Sequence, residues 1–439
     1  MKYAKKILAA IVATALLPLI AACGSSDTPV DPSSESVNAK TEITVWGWEP
    51  TLKDVVPAFE AANPDIKVNL QNVGGAGDTY TKLDNAIAAG SGAPDISQIE
   101  YYAIAQYAIP GQLADLAEFG ADSLSGTFTA GTWNSVTLAG SGKVYGLPVD
   151  SGPMALFYNK ATYDEAGVTE APKTWDEFYD AAKKIHALGP DYYITADNGD
   201  AGMATSMMWL AGAQPFKVGT DSVTIDLGAA GVVDFAEFWQ KLIDEELINT
   251  KISSWSDDWF KALGDGTLAS LITGAWMPAN LIGSAPDAAG DFRVAATPVP
   301  TAGKAADSEN GGSSLALLAS SDKKEAAYKF LEFNSAGAGV AIRVKGGNFP
   351  STLADLQKTE FLDYTDEYFG GQQYNQVLAQ AAKDVLPGWS YLPYQVYANS
   401  IFGDKIAGAY SGIGTLADAF KAWGVDLVAY GQQNGFNAK

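Results

Sequence analysis

The chain contains one cysteine and one histidine in 439 residues. A single thiol, Cys23, excludes a disulfide framework, and with His186 as the lone imidazole the sequence also excludes a Cys/His zinc site and a Cys/His nucleophile pair. Basic residues are scarce as well: 28 Lys and Arg against 51 Asp and Glu leave a formal charge of −23. Nucleic acid and anionic membranes are engaged by clustered cations that displace counterions, so this balance excludes nucleic acid as a partner and points to neutral or cationic ligands. The apolar run Ile7 to Ile20 is too short to span a bilayer. No Asp-x-Asp-x-Asn-Gly loop with a closing Glu is present, and neither a metal nor another cofactor is expected.

What the chain has in quantity is aromatic surface: 11 Trp, 20 Tyr and 18 Phe. Its length exceeds what one hydrophobic core usually supports, so two domains are expected. The N-terminus combines Lys2, Lys5 and Lys6 with the short apolar run and Ala21-Ala22-Cys23-Gly24. This reads as a signal peptide over residues 1–22. The small residues before Cys23 resemble a bacterial lipobox, which implies cleavage before Cys23 and a diacylglycerol on its thiol. The polar stretch 23–40 is then a lipidated, disordered tether.

Order begins at Ile43-Thr44-Val45-Trp46, a strand that breaks at Gly47 to Pro50. Leu52, Val55, Phe59 and Ala62 follow at helical spacing with Asn63-Pro64 as the stop; Ile66, Val68 and Leu70 alternate; Tyr80, Leu83 and Ile87 give a second helix ending at Gly90. Pro94-Asp95-Ile96 then opens a strand that delivers Glu100-Tyr101-Tyr102 at its end. Strand, helix, strand, helix, strand is the pattern of a doubly wound α/β domain, whose ligands collect beyond the C-terminal strand ends, here Trp48-Glu49 and Glu100-Tyr101.

Gly142 to Lys160 reads as two short strands joined by an irregular bridge, because Pro148 and Pro153 cannot donate to a ladder. Asp150 sits in this bridge, at the expected seam between domains. Thr174 with Glu177 forms a capping box for the helix that follows. Asp322 with Glu325 has the same spacing. The polar, glycine-rich stretch from Lys304 to Gly312 reads as a second crossing and Gly346-Gly347-Asn348-Phe349-Pro350 as a third, which places Gly312 and Asn348 at the seam. Helical spacing assigns Trp175, Trp239 and Trp423 to the core. Trp276 follows a strand at a Gly-x-Trp break, where an indole meets ligand; Trp48, Trp209, Trp255 and Trp389 are open to either site or core, and Trp46 to packing.

Several motifs in order carry a resemblance: a Trp-bearing first strand, Gly-Ala-Pro-Asp-Ile at 92–96, Gly-Lys-x-Tyr-Gly-Leu-Pro at 142–148 followed by a strand ending Tyr-Asn-Lys, Pro-Lys-Thr-Trp-Asp-Glu at 172–177, Gly-Ala-Trp at 274–276 and Lys-Glu-Ala-Ala-Tyr-Lys-Phe-Leu-Glu-Phe at 324–333. Together they resemble the maltose-binding type of extracellular solute-binding lipoprotein (family 1) that serves bacterial carbohydrate ABC importers. The resemblance implies two doubly wound α/β domains, 41–148 plus 311–349 and 149–310 plus 350–439, joined by a multi-segment hinge with the ligand cleft between them, as in type II periplasmic-binding proteins. It implies sugar contacts from Trp48, Glu49 and the loop Ile99 to Tyr102, and a stacking indole at Trp276. The maltose-type pattern has a further Trp where this chain has Ile99.

The function implied is non-enzymatic: capture of an oligosaccharide and delivery to the transmembrane subunits of an ABC permease, by a monomer held on the outer side of the cell membrane through Cys23. A neutral-sugar site needs flat aromatic faces and several hydrogen-bonding side chains, and the candidates Trp48, Glu49, Glu100, Tyr101, Asp150, Trp209, Trp255, Trp276, Gly312, Asn348 and Trp389 supply both. Two other classes remain open: a surface glycoside hydrolase, which requires a spaced carboxylate pair, and a binding protein for a cationic solute such as a polyamine.

Overall fold

The computed structural model describes residues 40–138, 141–219 and 222–439. The expected signal peptide, Cys23 and nearly all of the tether lie outside the described residues. In chain order the strands are β1 (Thr41–Trp46), β2 (Ile66–Gln71), β3 (Ile96–Glu100), β4 (Leu147–Pro148), β5 (Met154–Asn159), β6 (Phe216–Val218), β7 (Ser222–Ile225), β8 (Ser270–Gly274), β9 (Phe292–Ala296), β10 (Ser313–Leu317) and β11 (Asn437–Ala438).

They form a five-stranded sheet in the order β2-β1-β3-β10-β4 and two three-stranded sheets, β8-β5-β9 and β11-β7-β6. In the first, β1 runs parallel to β2 and β3, as right-handed strand–helix–strand units require, and β10 returns antiparallel between β3 and β4. The helix Leu52–Ala62 joins β1 to β2, burying Leu52, Val55 and Phe59 and ending at Asn63. The helix Ala76–Ala89 joins β2 to β3 and ends on Gly90 in the left-handed conformation that glycine adopts freely. In the β8-β5-β9 sheet both pairings of β5 are antiparallel.

The chain passes between these sheets where proline interrupts the ladders. Residues 149–153 lead from β4, in the first sheet, to β5, at the centre of the second, and residues 297–312 return from β9 to β10. The apolar cores separate at the same places. One pair of clusters draws its buried residues from Ile43 to Val149 and Leu315 to Leu331. The other pair draws on Met154 to Val294 and Phe349 to Ala438. Trp175, Trp239 and Trp423 are all buried, and Trp46 packs with Tyr80 and Ile99.

The Thr174 cap forms, with the Glu177 N–H donating to Thr174 Oγ1 at 3.2 Å, while the Glu177 carboxylate accepts from the Lys173 N–H rather than from Thr174. The box expected at Asp322 does not. The helix Lys324–Ser335 starts after Lys323 with no side-chain cap, which leaves Asp322 one residue ahead of the N-cap position; beside it Ser321 donates to Asp95 Oδ1 at 2.6 Å and accepts from the Lys323 N–H.

Arg343, on the helix Gly339–Lys345, is 1% exposed. Its guanidinium donates to Val149 O between β4 and β5, to Asn348 Oδ1 at 2.8 Å just past its own helix, and to Asn334 O at 3.1 and 3.3 Å. Glu49 and Asp150 supply the nearby negative charge. A buried guanidinium with all three nitrogens donating is costly to disrupt from one side, since removing it strands carbonyls and anions together. Arg343→Met is therefore expected to lower stability by about 3–5 kcal/mol in urea unfolding. A loss under 1 kcal/mol would mean that the guanidinium does not hold these segments.

Candidate ligand-binding cleft

A cleft of about 1000 Å³ opens where residues 149–153, 297–312 and 346–348 meet. Its walls come from strand ends, because strand termini at a sheet edge release side chains from the ladder. At the end of β1, Gly47 lets the turn pack closely on Leu52: a Cβ there would meet Leu52 Cδ1 at 2.6 Å, and the side chain would have to shift. The turn that follows is held by Gln98 of β3, whose Oε1 accepts from the Trp48 N–H at 2.8 Å and the Glu49 N–H at 2.9 Å, while its amide donates to Ser313 at 2.9 Å. Trp48 and Glu49 both line the cleft. Glu49 accepts from Thr51 and from Asn348 Nδ2 at 3.5 Å.

At the end of β3, Glu100 faces the cleft and Tyr80 pins it, accepting from the Glu100 N–H at 2.9 Å and donating to its carboxylate at 3.2 Å. Burial pushes the Glu100 carboxyl up to about 7, against the hydrogen bonds from Tyr102 and Tyr80. In the first crossing, Asp150 Oδ1 accepts from the Ser313 N–H at 2.6 Å and the Ser313 hydroxyl at 3.1 Å. Burial raises Asp150 to about 6; the Ser313 bonds and Arg343 oppose the rise, and Glu49 adds to it. Gly312, at φ +96, also lines the cleft, and a Cβ there would strike the Tyr101 ring at 2.5 Å.

The facing wall is aromatic. Trp276 leaves β8 by a turn that needs Gly274, where a Cβ would lie 2.3 Å from Trp276 Nε1. That Nε1 donates to Asn310 O at 2.8 Å, so the indole's polar edge is used inside the protein and its face remains. Trp255 stacks on it, ring centroids 5.6 Å apart and planes at 29°. Trp239 and Trp259 complete this wall. Beside it, Asp197 accepts from Trp239 Nε1 at 2.8 Å and from the Tyr410 hydroxyl, and Asp200 caps the helix Ala201–Leu210. Asn310, Tyr391, Gln395 and Asn399 add polar groups.

Of the sequence candidates, Trp48, Glu49, Glu100, Asp150, Trp255, Trp276, Gly312 and Asn348 converge on this cleft. Tyr101, Trp209 and Trp389 do not line it. Tyr101 lies beneath, 2% exposed, donating its hydroxyl to Asp150 O at 2.5 Å. Trp209 and Trp389 stack on each other at 5.1 Å, and Trp209 Nε1 donates to Leu386 O at 2.7 Å. Ile99 is fully buried. Sequence reasoning passed over Gln98, Asp197, Asp200, Asn310 and Tyr391. Only Asp200 left a local trace, as the cap of a helix.

Three crossings around a cleft of indoles and carboxylates are the construction of a type II periplasmic-binding protein, the fold of the solved structures this chain resembles. Residues 47–334 match the family model described as bacterial extracellular solute-binding protein, and the chain belongs to that family. A binding protein of B. animalis subsp. lactis associated with an ABC transporter, solved with β-1,6-galactobiose, is 51% identical; the match covers 91% of this chain and all of that one, with a TM-score of 0.84. The galacto-N-biose/lacto-N-biose I-binding protein of Bifidobacterium longum, solved with lacto-N-biose, is 27% identical over 91% of this chain and 99% of that one, at a TM-score of 0.79. A lactose-binding protein of Rhizobium radiobacter is 30% identical over 75% of this chain and 79% of its own length.

Burial likewise raises Glu309, which accepts from Ser151 at 3.0 Å, to about 7. Glu100, Asp150 and Glu309 thus hold protons more tightly folded than unfolded. Their contribution to stability is complete below the unfolded carboxylate range, near pH 4, and is lost as pH rises through about 6 to 7. The ligand-free protein is expected to be more stable at pH 5 than at pH 8. Glu309→Gln should shrink that difference by on the order of 1–3 kcal/mol. Thermal unfolding across the two pH values checks it, and an unaltered difference in the variant would assign the slope to other groups.

Proposed function

We propose that this protein captures a short, neutral, galactosyl-containing oligosaccharide in the cleft and hands it to the membrane subunits of an ABC importer. The observation that carries the reading is the indole wall: Trp276 spends its N–H on Asn310 and shows its face, stacked with Trp255, opposite Glu49, Glu100 and Asp150. The C–H face of a pyranose fits such a ring, and its hydroxyl rim fits carboxyl and amide groups. A carboxyl held near neutral pKa, such as Glu100, can donate as well as accept. Galactose is common to the sugars named for the three relatives above, which supports a galactosyl unit here.

Residues 41–148 plus 311–349 and 149–310 plus 350–439 act as two lobes that close on the sugar about the three crossings, in a monomer. Closure gathers many modest hydrogen bonds, each netting about 0.5–1.5 kcal/mol, into the roughly 8 kcal/mol of micromolar affinity. The sugar leaves unchanged. Calorimetry should give saturable binding of β-1,6-galactobiose or lactose, insensitive to salt, with no new reducing ends after prolonged incubation. Product release would favour a glycosidase, with Glu100 as its acid. Steep salt dependence with a polyamine would favour a cationic solute.

Trp276→Ala is expected to weaken sugar binding by about 1–3 kcal/mol. A variant that melts early yet binds with unaltered affinity would make this indole structural only. For attachment, Cys23 carries the lipid. Cys23→Ala should release the protein from the cell envelope while sugar affinity is retained; a variant that stays with washed membranes would refute the anchor.

A further inference from the structure

Gln98 is a buried side chain whose two ends are assigned by chemistry alone. Backbone N–H groups can only donate, so the end that meets those of Trp48 and Glu49 is the carbonyl oxygen, and the end that meets Ser313 is the donating amide. The direction then propagates. Ser313 Oγ, accepting from Gln98, has one proton of its own, and it goes to Asp150 Oδ1, which also takes the Ser313 N–H. With Oδ1 occupied twice, Oδ2 is the oxygen that Asp150 can offer to a ligand in the cleft it lines.

These bonds form a relay across the neighbouring strands β1, β3, β10 and β4, from the turn after the first to the connection after the last. Resting on the sugar-binding reading above, we infer that Gln98 is a positioning residue for the sugar: accepting at one end and donating at the other, it sets the Trp48–Glu49 turn and, through Ser313, fixes Asp150 as an acceptor open on one side. Glutamine is suited to this because it carries an acceptor and a donor on one rigid plane. A carboxylate of the same shape could hold the turn but could not donate to Ser313, and an apolar side chain could do neither. The charged and titratable groups around Asp150 are Glu49, Glu100, Glu309, Arg343 and Tyr101, whose hydroxyl meets the Asp150 carbonyl.

Gln98→Glu tests the direction of the relay at nearly constant shape. Protonated, the introduced carboxyl accepts from the two N–H groups and donates to Ser313 as the amide does; ionised, it accepts at both ends, draws the Ser313 hydroxyl to itself and deprives Asp150 of that donor. Burial favours the protonated form, which moves the change above the ordinary carboxylate range. Calorimetry with β-1,6-galactobiose on the whole protein should find the variant within about twofold of the unaltered protein at pH 5 and about tenfold weaker at pH 8. The groups around Asp150 are common to both proteins, so the profile is read as the ratio of affinities. Gln98→Met and Ser313→Ala should each weaken binding about tenfold, and the double variant no more than the worse single one, because both interrupt the same chain. A Gln98→Glu ratio that does not move with pH, or single losses that multiply in the double variant, overturns the relay and leaves the sugar reading intact. Lowered melting temperatures with unaltered affinity would make Gln98 structural only and likewise overturn it. If the unaltered protein binds neither β-1,6-galactobiose nor lactose at either pH, both readings fall.

Discussion

The structure depends on one buried cation. Arg343 reaches into the seam from a helix packed on the helices Leu52–Ala62 and Lys324–Ser335, and its fixed fork of donors takes carbonyls from chain segments far apart in sequence. A guanidinium in such a place needs anions, and Glu49 and Asp150 provide them. The same two carboxylates face the cleft. The charge that ties these segments together is thus also set beside the acceptors that line the cleft, so loss of Arg343 would disturb geometry and electrostatics at once. Lysine would not substitute, since a single ammonium on a flexible stem cannot serve three separated acceptors.

Around that cation the cleft divides its labour by burial. Carboxyls fastened by backbone donors, such as Asp150 on the Ser313 N–H, are fixed acceptors. Glu100, held by a tyrosine hydroxyl and pushed upward by burial, can trade a proton with its surroundings. A ligand dense in hydroxyls, each both donor and acceptor, suits this mixture better than a fixed charge does.

Much of the frame was legible in the sequence because it rests on local physics. Pro148 and Pro153 cannot continue a ladder, and the chain changes sheets between them. The Thr174 cap formed because its partner is three residues away. Asp322 had the same spacing and failed, since the helix begins one residue beyond it, next to a Ser321–Asp95 contact that no local pattern encodes. Trp209 was ambiguous for a related reason. Its helix is buried nearly all round, so no polar stripe marks which way the indole points. Gln98 and Arg343 were invisible altogether: each acts by bridging segments that only the tertiary fold brings together.

The stacked indoles also have an optical consequence. Two tryptophans held at 5.6 Å couple their strong electronic transitions and give a signed pair of bands in far-ultraviolet circular dichroism. A second such pair, Trp209 with Trp389 at 5.1 Å and nearly parallel, lies outside the cleft. The molecule therefore carries two couplets of the same chromophore, of which only one borders the cleft. A sugar laid against the Trp255–Trp276 stack perturbs one couplet and leaves the other as a baseline.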